Sequence, residues 1–193
     1  MREDRSALVA YYYFDFKDIS KHHVHGLLAS LLFQLCDDSE RCWDILHHLF
    51  NSCCDGSEQP SNIMLIECLR TMVQLPGQLP IFIIVDALDK CPSNTGTPSP
   101  CDEVLDFMEN LVGSNHLNLF VCISSHPEQD IKTVLEPLTS PSYCVSVHKE
   151  SGQKGDINNY VHSFIHSDRA MRRWREEDKE LVINTLSERA GGM

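Results

Sequence analysis

The chain has 193 residues, of which 42% are hydrophobic and 23% are charged, an ordinary balance for a globular protein. Its formal net charge of −12 argues against a general nucleic-acid binder, which needs a basic surface. No apolar run approaches the ~18–20 residues that span a bilayer, and the acidic first residues leave no room for an apolar secretory signal, so we predict a cytoplasmic protein without a membrane span.

The cysteines are numerous but do not form a disulfide pattern. There are nine of them, an odd number, and no Cys-x-x-Cys spacing occurs. They are scattered through segments that have the character of helices and strands. Reduced thiols in a cytosolic protein are therefore the simpler prediction.

The first elements in chain order are a strand and three helices. Residues 7–16 are rich in aromatic and β-branched side chains and predict a strand. The next segment predicts an amphipathic helix, because apolar residues recur at helical spacing: Val24, Leu27, Leu28, Leu31, Leu32 and Leu35. A second helix carries Trp43, Leu46, Leu49 and Phe50 on its predicted apolar face. A third begins after Ser61, a good N-cap, and its predicted apolar face is Ile63, Ile66, Leu69 and Val73.

The stretch that follows organises the rest of the chain. Residues 81–85, Ile-Phe-Ile-Ile-Val, predict a fully buried strand of a parallel sheet, and the strand runs directly into Asp86. Asp89 follows three positions later. An acidic group at the carboxyl end of such a strand lies where open α/β sheets bind ligands, and Mg²⁺ prefers carboxylate oxygens. The alternative is a strand that ends at a solvated aspartate.

The second half of the chain continues the alternation of helices and strands. Ser99 as N-cap and Pro100 at the first helical position begin a helix that ends at Gly113. Residues 117–123 predict another strand, after which Ser125 and Glu128 have capping-box spacing for a further helix. A fourth short strand is predicted at residues 143–147.

This order predicts an α/β fold with a partial doubly wound parallel sheet of about four strands in residues 1–150. Residues 151–155 then predict a linker. The remainder, to residue 193, predicts a helical segment, the start of a truncated second domain. Its first helix carries Ile157, Tyr160, Val161, Phe164 and Ile165 in register, and its last runs from about Glu176 to Arg189.

Several of these motifs together resemble a known family. Five features occur in the order and spacing of the NACHT-type (STAND) P-loop NTPases. They are residues 12–16 (Tyr-Tyr-Phe-Asp-Phe), the Leu-rich helix, residues 83–89 (Ile-Ile-Val-Asp-Ala-Leu-Asp), residues 122–128 (Cys-Ile-Ser-Ser-His-Pro-Glu) and the helical tail. In particular, the chain resembles the nephrocystin-like N-terminal NTPase module of fungal multidomain proteins. The resemblance implies the P-loop NTPase fold, ATP or GTP with Mg²⁺ as cofactors, and protein partners or self-association as the signalling output.

The resemblance also implies roles for individual residues. Asp86 matches the carboxylate of the Walker B strand, which associates with Mg²⁺ and the nucleotide. Asp89 matches the first of an acidic pair that orients or deprotonates the attacking water. Ser125 and His126 match the Ser-Arg of a family Thr-Ser-Arg-Pro-Glu motif, whose arginine senses the γ-phosphate.

Three departures from the family pattern affect these roles. Lys90 replaces the second acid of the pair, and His126 replaces an arginine that offers a permanent charge and two parallel donors. None of the nine glycines is followed by lysine, so the Gly-x-x-x-x-Gly-Lys-[Ser/Thr] phosphate loop is absent from the sequence. The family's first strand, loop and helix then lie upstream of Met1 or are missing, which leaves a sheet position unfilled and predicts exposed apolar surface.

We therefore carry two principal hypotheses. The first is a fragment of a NACHT-like nucleotide-dependent signalling switch that does not bind or hydrolyse ATP or GTP by itself. The second is a nucleotide-independent protein-interaction scaffold on a degenerate NTPase fold. A third, a stand-alone Mg²⁺-dependent phosphohydrolase using Asp86 and Asp89, has no nucleophile motif to support it.

Overall fold

The computed structural model describes residues 6–15, 17–18, 21–53, 58–93, 98–114, 116–146 and 151–189. The chain divides into two compact units, residues 1–139 and 140–193. In the described residues, no helix is both long and apolar enough to cross a membrane.

The first unit is a mixed α/β structure built on a small parallel sheet. Its elements are β1 (Leu8–Tyr13), α1 (Val24–Asp38), α2 (Glu40–Ser52), α3 (Asn62–Val73), β2 (Ile81–Asp86), α4 (Pro100–Gly113), β3 (Leu119–Ile123) and α5 (Gln129–Leu135). The strand order is β1-β2-β3, and both pairings are parallel. The strand predicted at residues 81–85 is therefore the middle strand of the sheet.

The helix starts follow from local side-chain chemistry. Ser61 accepts a hydrogen bond from the backbone N–H of Met64, as an N-cap should. Ser99 caps α4 in a complete capping box with Asp102: the Ser99 hydroxyl accepts from the Asp102 N–H (3.1 Å), and the Asp102 carboxylate accepts from the Ser99 N–H (2.9 Å). Pro100 occupies the first turn. These two predictions are confirmed.

The apolar faces of the helices were predicted with mixed success. All six apolar positions predicted for α1 are buried. In α2, by contrast, Trp43 and Phe50 are exposed and Cys42 is the buried residue. The buried residues of α3 are Leu65, Cys68, Leu69, Met72 and Val73, whereas Ile63 is 74% exposed. Both helices are apolar on more than one side, so periodicity alone left the orientation of each helix open.

Within the described residues of the first unit, helices cover one face of the sheet. Residues at alternate positions of β1 and β2 point into the core that α1, α3 and α4 share. The opposite face carries apolar side chains that stay exposed: Val9, Tyr11, Tyr13, Phe82, Ile84 and Phe120. The prediction that residues 81–85 form a fully buried strand is therefore wrong for Phe82 and Ile84, because no described helix of the first unit covers their side. The predicted exposed apolar surface is present.

The two edges of the sheet differ. Beside β1, the Gln34 side chain substitutes for a neighbouring strand: its Oε1 accepts from the Tyr11 N–H (3.0 Å), and its Nε2 donates to the Tyr11 carbonyl (2.8 Å). No described strand pairs with the outer edge of β3. The inward side chains Leu119, Val121 and Ile123 are also only partly buried. Both β1 and β3 are thus edge strands of the described sheet, and the Gln34 side chain satisfies the backbone of one residue on the β1 edge.

The fourth predicted strand does not form in residues 143–146; Val147 lies outside the described residues. Pro141 instead opens a 3₁₀ turn that runs to Tyr143. Tyr143 is 82% exposed, so it lacks the buried face that stabilises a strand.

The second unit is helical. It contains α6 (Ser151–Ser167), a 3₁₀ turn (Met171–Arg173) and α7 (Glu176–Arg189). The predicted linker at residues 151–155 is wrong, because these residues form the start of α6. On the predicted apolar face of α6, Ile165 is buried while Tyr160 and Phe164 are exposed. The predicted last helix is confirmed at Glu176–Arg189.

Candidate functional site

The candidate site lies where β2 and β3 end side by side. The parallel register pairs Val85 with Ile123, so the next residues, Asp86 and Ser124, emerge at the same level. The backbone N–H of Ser124 donates to the Val85 carbonyl at 2.9 Å and carries the pairing one residue beyond β3. Parallel strands thus bring their terminal polar residues to one edge, as in ligand-binding α/β sheets.

Asp86 is an exposed carboxylate on the middle strand. Its Oδ1 accepts a hydrogen bond from the Ser124 hydroxyl, and its main-chain carbonyl accepts from the Phe14 N–H at 3.0 Å. The residue is therefore tied to both neighbouring chain segments while its side chain faces solvent. An accessible, oriented carboxylate is suited to a cation.

The backbone turns sharply directly after Asp86. Ala87 has a φ of 54° and a ψ of 44°, in the left-handed region that costs an L-residue about 1–2 kcal/mol. Ser124 stabilises this turn, because its hydroxyl accepts from the Ala87 N–H (3.2 Å) and its carbonyl accepts from the Leu88 N–H (3.1 Å). Leu88 is fully buried and anchors the turn in the core.

Asp89 has a very different environment from Asp86. Its side chain is only 5% exposed, and one oxygen, Oδ2, pairs with Lys90 Nζ at 2.6 Å. The other, Oδ1, accepts the backbone N–H of His126 at 2.9 Å. Burial by itself would raise the pKa of Asp89, but the hydrogen bonds from Lys90 and His126 and their positive charge lower it below its ordinary value. A carboxylate held in this way links the turn after β2 to the segment after β3.

Ser125 and His126 follow β3 and make their hydrogen bonds locally and through the main chain. The Ser125 hydroxyl donates to the His126 carbonyl at 2.8 Å, and His126 contributes its main-chain N–H to Asp89. The predicted capping box is also wrong: α5 begins at Gln129 with Glu128 as N-cap and no side-chain cap bond. Ser125 lies before this N-cap, and its hydroxyl donates to the carbonyl one residue on.

Ser124 is the site residue that the sequence prediction missed. It contacts Asp86 through its side chain and supports Ala87 and Leu88 as well. A signal was present in the sequence, since residues that directly follow neighbouring parallel strands lie level when the strands end in register. The register itself, however, is a property of the assembled sheet.

The arrangement offers one accessible carboxylate and one that is held internally. In the described residues, no group of three or more His, Cys, Asp or Glu side chains is placed to hold a metal ion by itself. Mg²⁺ commonly uses one or two carboxylates and completes its shell with water and phosphate oxygens. Asp86 fits that kind of partial site.

Comparison with known proteins identifies the family of this chain. Residues 1–126, more than half of the chain, match the family model described as Nephrocystin 3, N-terminal. The chain belongs to this family. The matched range contains β1 through β3 together with Asp86, Asp89, Ser125 and His126. No curated protein and no solved structure matches the chain.

Proposed function

We propose that this Nephrocystin 3 N-terminal chain is the Walker B and sensor part of a NACHT-like nucleotide-dependent switch of the P-loop NTPase type, working within a longer cytoplasmic protein. The observation that carries the proposal is Asp86, an exposed carboxylate at the end of the middle parallel strand, oriented by Ser124 from the next strand. The Mg²⁺-associated acid of a Walker B strand has this position in the sheet. Protein partners or self-association are the output of such a switch.

The residues fit Mg²⁺ only in part and do not fit a nucleotide. Asp86 supplies one hard oxygen ligand of the type that Mg²⁺ prefers. A nucleotide also needs a run of backbone N–H donors at a helix N-terminus and a lysine that reaches its phosphates, and no glycine of this chain is followed by lysine. By itself the chain therefore neither binds nor hydrolyses ATP or GTP.

The unpaired outer edge of β3 leaves space for the phosphate-binding segment that this proposal requires. The outer edge of β3 is unpaired in the described sheet, beside Asp86 and Ser124, and the neighbouring sheet face exposes Phe82 and Phe120. A further strand beside β3 and a helix on that face would complete a doubly wound sheet. A loop between them would then lie next to Asp86.

The contacts of Asp89 oppose hydrolysis even in a completed sheet. A general base must accept a proton from water, but both Asp89 oxygens already accept hydrogen bonds and its pKa is lowered. Replacing Lys90 with an acid would free Oδ2 and restore the second carboxylate of the family pair. Replacing His126 with arginine would restore bidentate phosphate recognition.

A thermal-shift measurement with Mg²⁺-ATP and Mg²⁺-GTP tests the first part of the proposal. A ligand present at 100 times its Kd stabilises a protein by ~2.7 kcal/mol, so specific binding is easily detected. We expect no shift for this chain. A saturable shift that disappears in Asp86→Asn would contradict us.

A second measurement uses a longer chain in which a strand, a Gly-x-x-x-x-Gly-Lys-Ser loop and a helix precede residue 1. We expect nucleotide-dependent stabilisation that Asp86→Asn weakens, and hydrolysis that rises in the Lys90→Glu/His126→Arg double variant. If nucleotide binds equally well to the longer chain with and without Asp86→Asn, Asp86 does not help to hold the metal ion. If the longer chain binds nucleotide but the double variant hydrolyses it no faster, our explanation of Lys90 and His126 is wrong.

The exposed sheet face favours a second candidate, a nucleotide-independent protein-interaction scaffold. Four aromatic residues share this face, and the rings of Phe82 and Phe120 stack at 4.9 Å between centroids. Exposed aromatic patches are common at protein interfaces. If the longer chain does not respond to nucleotide at all, while partner binding is lost in Tyr11→Ser or Phe120→Ser, the scaffold is the better description.

A further inference from the structure

Half of the basic side chains of the second unit lie in the short connection between α6 and α7. Residues 140–193 contain eight Lys or Arg and eight Asp or Glu residues, so the whole net charge of −12 lies in residues 1–139. Residues 169–175 contain no acid but four of these basic residues: Arg169, Arg172, Arg173 and Arg175. All four are exposed, as is Trp174 among them. These five residues form an arginine–tryptophan patch.

Hydrogen bonds to the backbone hold the turn that carries the patch. Asp168 Oδ1 accepts from the N–H groups of Ala170 (2.8 Å) and Met171 (3.1 Å). The Asp168 carbonyl accepts from the Arg172 N–H at 3.1 Å, and the Trp174 N–H donates to the Met171 carbonyl at 3.0 Å. Because its backbone is already ordered, the turn can present its side chains to a partner at a smaller entropic cost than a free loop.

The acids beside the patch are largely paired, whereas most of its arginines are not. Asp178 pairs with Arg175 (Nε to Oδ2, 3.1 Å), and Glu176 pairs with the buried Lys179 (Nζ to Oε1, 2.6 Å). In the described residues, no acidic side chain forms an ion pair with the other three arginines of the patch. Glu177, exposed in the first turn of α7, opposes them with one negative charge. The patch is therefore positive on balance.

Trp174 supplies apolar surface next to these charges. Its side chain is 43% exposed, and together with Arg173, Arg175 and Asp178 it lines an open depression of the surface. The Arg175–Asp178 pair shows that a carboxylate fits here, since Oδ2 accepts from Nε at 3.1 Å and Oδ1 accepts from a terminal guanidinium nitrogen at 3.4 Å. Trp and Arg are among the side chains in which binding energy concentrates at protein interfaces.

We propose that the arginine–tryptophan patch is a docking surface for an acidic segment of a partner protein. Carboxylates of the segment pair with the three uncompensated arginines, and one of its apolar side chains packs on Trp174. The arginines are separated along the turn, so they match carboxylates spaced along a peptide better than the concentrated charge of one phosphate.

The charge of the whole chain favours a short segment over a large polyanion. Nucleic acids and anionic membranes extend far beyond the patch and are repelled by the net charge of −12. A short segment is governed by the local charge, because the Debye length at physiological ionic strength is ~8 Å. This inference goes beyond the proposed switch and does not depend on nucleotide binding at Asp86.

The test uses the fluorescence of Trp174 in the full chain carrying Trp43→Phe, because the chain has two tryptophans and this change leaves one. The probe is a short synthetic peptide of repeating Glu-Glu-Leu units, and the comparison peptide has Gln in place of Glu. We expect only the acidic peptide to shift the emission of Trp174 to shorter wavelength, in a saturable way. Raising the salt to ~1 M, where the Debye length falls to ~3 Å, should weaken binding several-fold. An emission that stays unchanged, or that responds equally to both peptides, would overturn the proposal.

Variants of the patch locate the peptide on the chain, with binding followed by the fluorescence anisotropy of labelled peptide. Arg172→Gln/Arg173→Gln should weaken binding by about 2–30-fold, the range expected for the loss of two exposed ion pairs. Trp174→Ala should weaken it by about 30-fold, as the loss of an aromatic anchor does in protein interfaces.

Two controls make the same kinds of change in the first unit. Arg41→Gln/Arg70→Gln removes two positive charges, and Trp43→Ala removes the exposed tryptophan of α2. Both variants should bind the peptide as the parent chain does. Equal weakening in the controls and in the patch variants would contradict the proposal, because net charge alone would then explain binding. Tighter binding of a phosphoserine peptide of the same length, or of phosphatidylserine vesicles, would show that the partner is not a carboxylate-bearing segment.

Discussion

Asp86 and Asp89 belong to one short motif, yet their surroundings give them different properties. Asp86 is exposed and receives a hydroxyl hydrogen bond from Ser124, whereas the Asp89 carboxylate is nearly buried between Lys90 and the His126 N–H. The first is available to a cation. The second is part of the structure that joins the ends of β2 and β3.

The structural role of Asp89 leads to a stability prediction. Asp89→Ala should lower the free energy of unfolding by about 1–3 kcal/mol, because it leaves the His126 N–H without its acceptor and removes the partner of Lys90. Asp86→Ala, at an exposed position, should cost less than about 1 kcal/mol and serves as the control. Urea unfolding at neutral pH measures both. Equal losses in the two variants would show that Asp89 is not the stronger structural contact.

The lowered pKa of Asp89 also predicts a pH dependence. A carboxyl whose folded pKa lies below its unfolded value of ~3.9 adds stability at pH above ~3.9, and this contribution is lost as the pH falls through the folded pKa. The parent chain should therefore be more stable than Asp89→Asn at pH 7, and the difference should vanish in acid below the folded pKa. Chemical unfolding of both proteins across this range measures it. A difference that stays constant with pH would rule out ionisation of Asp89 as its source.

At the scale of elements, the two faces of the sheet contribute unequally to the free energy of folding. Ile81, Ile83 and Val85 are fully buried against the helices, while Phe82, Ile84 and Phe120 lie on the uncovered face. Alternation along a strand places successive side chains on opposite faces, so one strand serves both surfaces. The inner face stabilises the fold, and the outer face is left for another element or a partner.

This difference between the faces can be measured with a matched pair of substitutions. Ile83→Ala should cost about 2–5 kcal/mol of unfolding free energy, because it opens a cavity in the core. Phe120→Thr should cost less than about 1 kcal/mol, the scale of one exposed cross-strand pair, and should reduce binding of the dye ANS. Equal costs would mean that the outer face is covered in solution.

At the scale of the whole molecule, net charge and apolar surface oppose each other. A formal charge of −12 keeps copies apart, whereas the uncovered sheet face favours association. Salt screens the charge without weakening the apolar contact. The balance should therefore shift with ionic strength.

We accordingly expect the sedimentation-average mass of the chain to rise with added NaCl. Phe82→Ser combined with Phe120→Ser should reduce this rise, because the substitutions remove the stacked pair from the exposed face. Tyr143→Ser, an exposed aromatic outside the sheet, is the control. Association that is unchanged by the double substitution would assign it to another surface.

The sequence by itself determined the elements whose chemistry is local. Ser61, Ser99 and Pro100 mark helix starts because capping bonds and a fixed φ act within one turn. The apolar residues of α1 have a single helical phase, so their burial could be predicted. The motifs around Asp86 and His126 were also enough to indicate the nephrocystin family.

Only the tertiary structure decided which surfaces are covered and which side chains meet. The phase of α3, the missing strand at residues 143–146 and the uncovered sheet face depend on neighbours far apart in sequence. The contact of Ser124 with Asp86 and the burial of Asp89 arise from the register of β2 and β3, which no local pattern encodes. Local hydrogen bonds fix where elements begin, but packing between distant segments fixes which carboxylate is exposed to solvent and which is held in the fold.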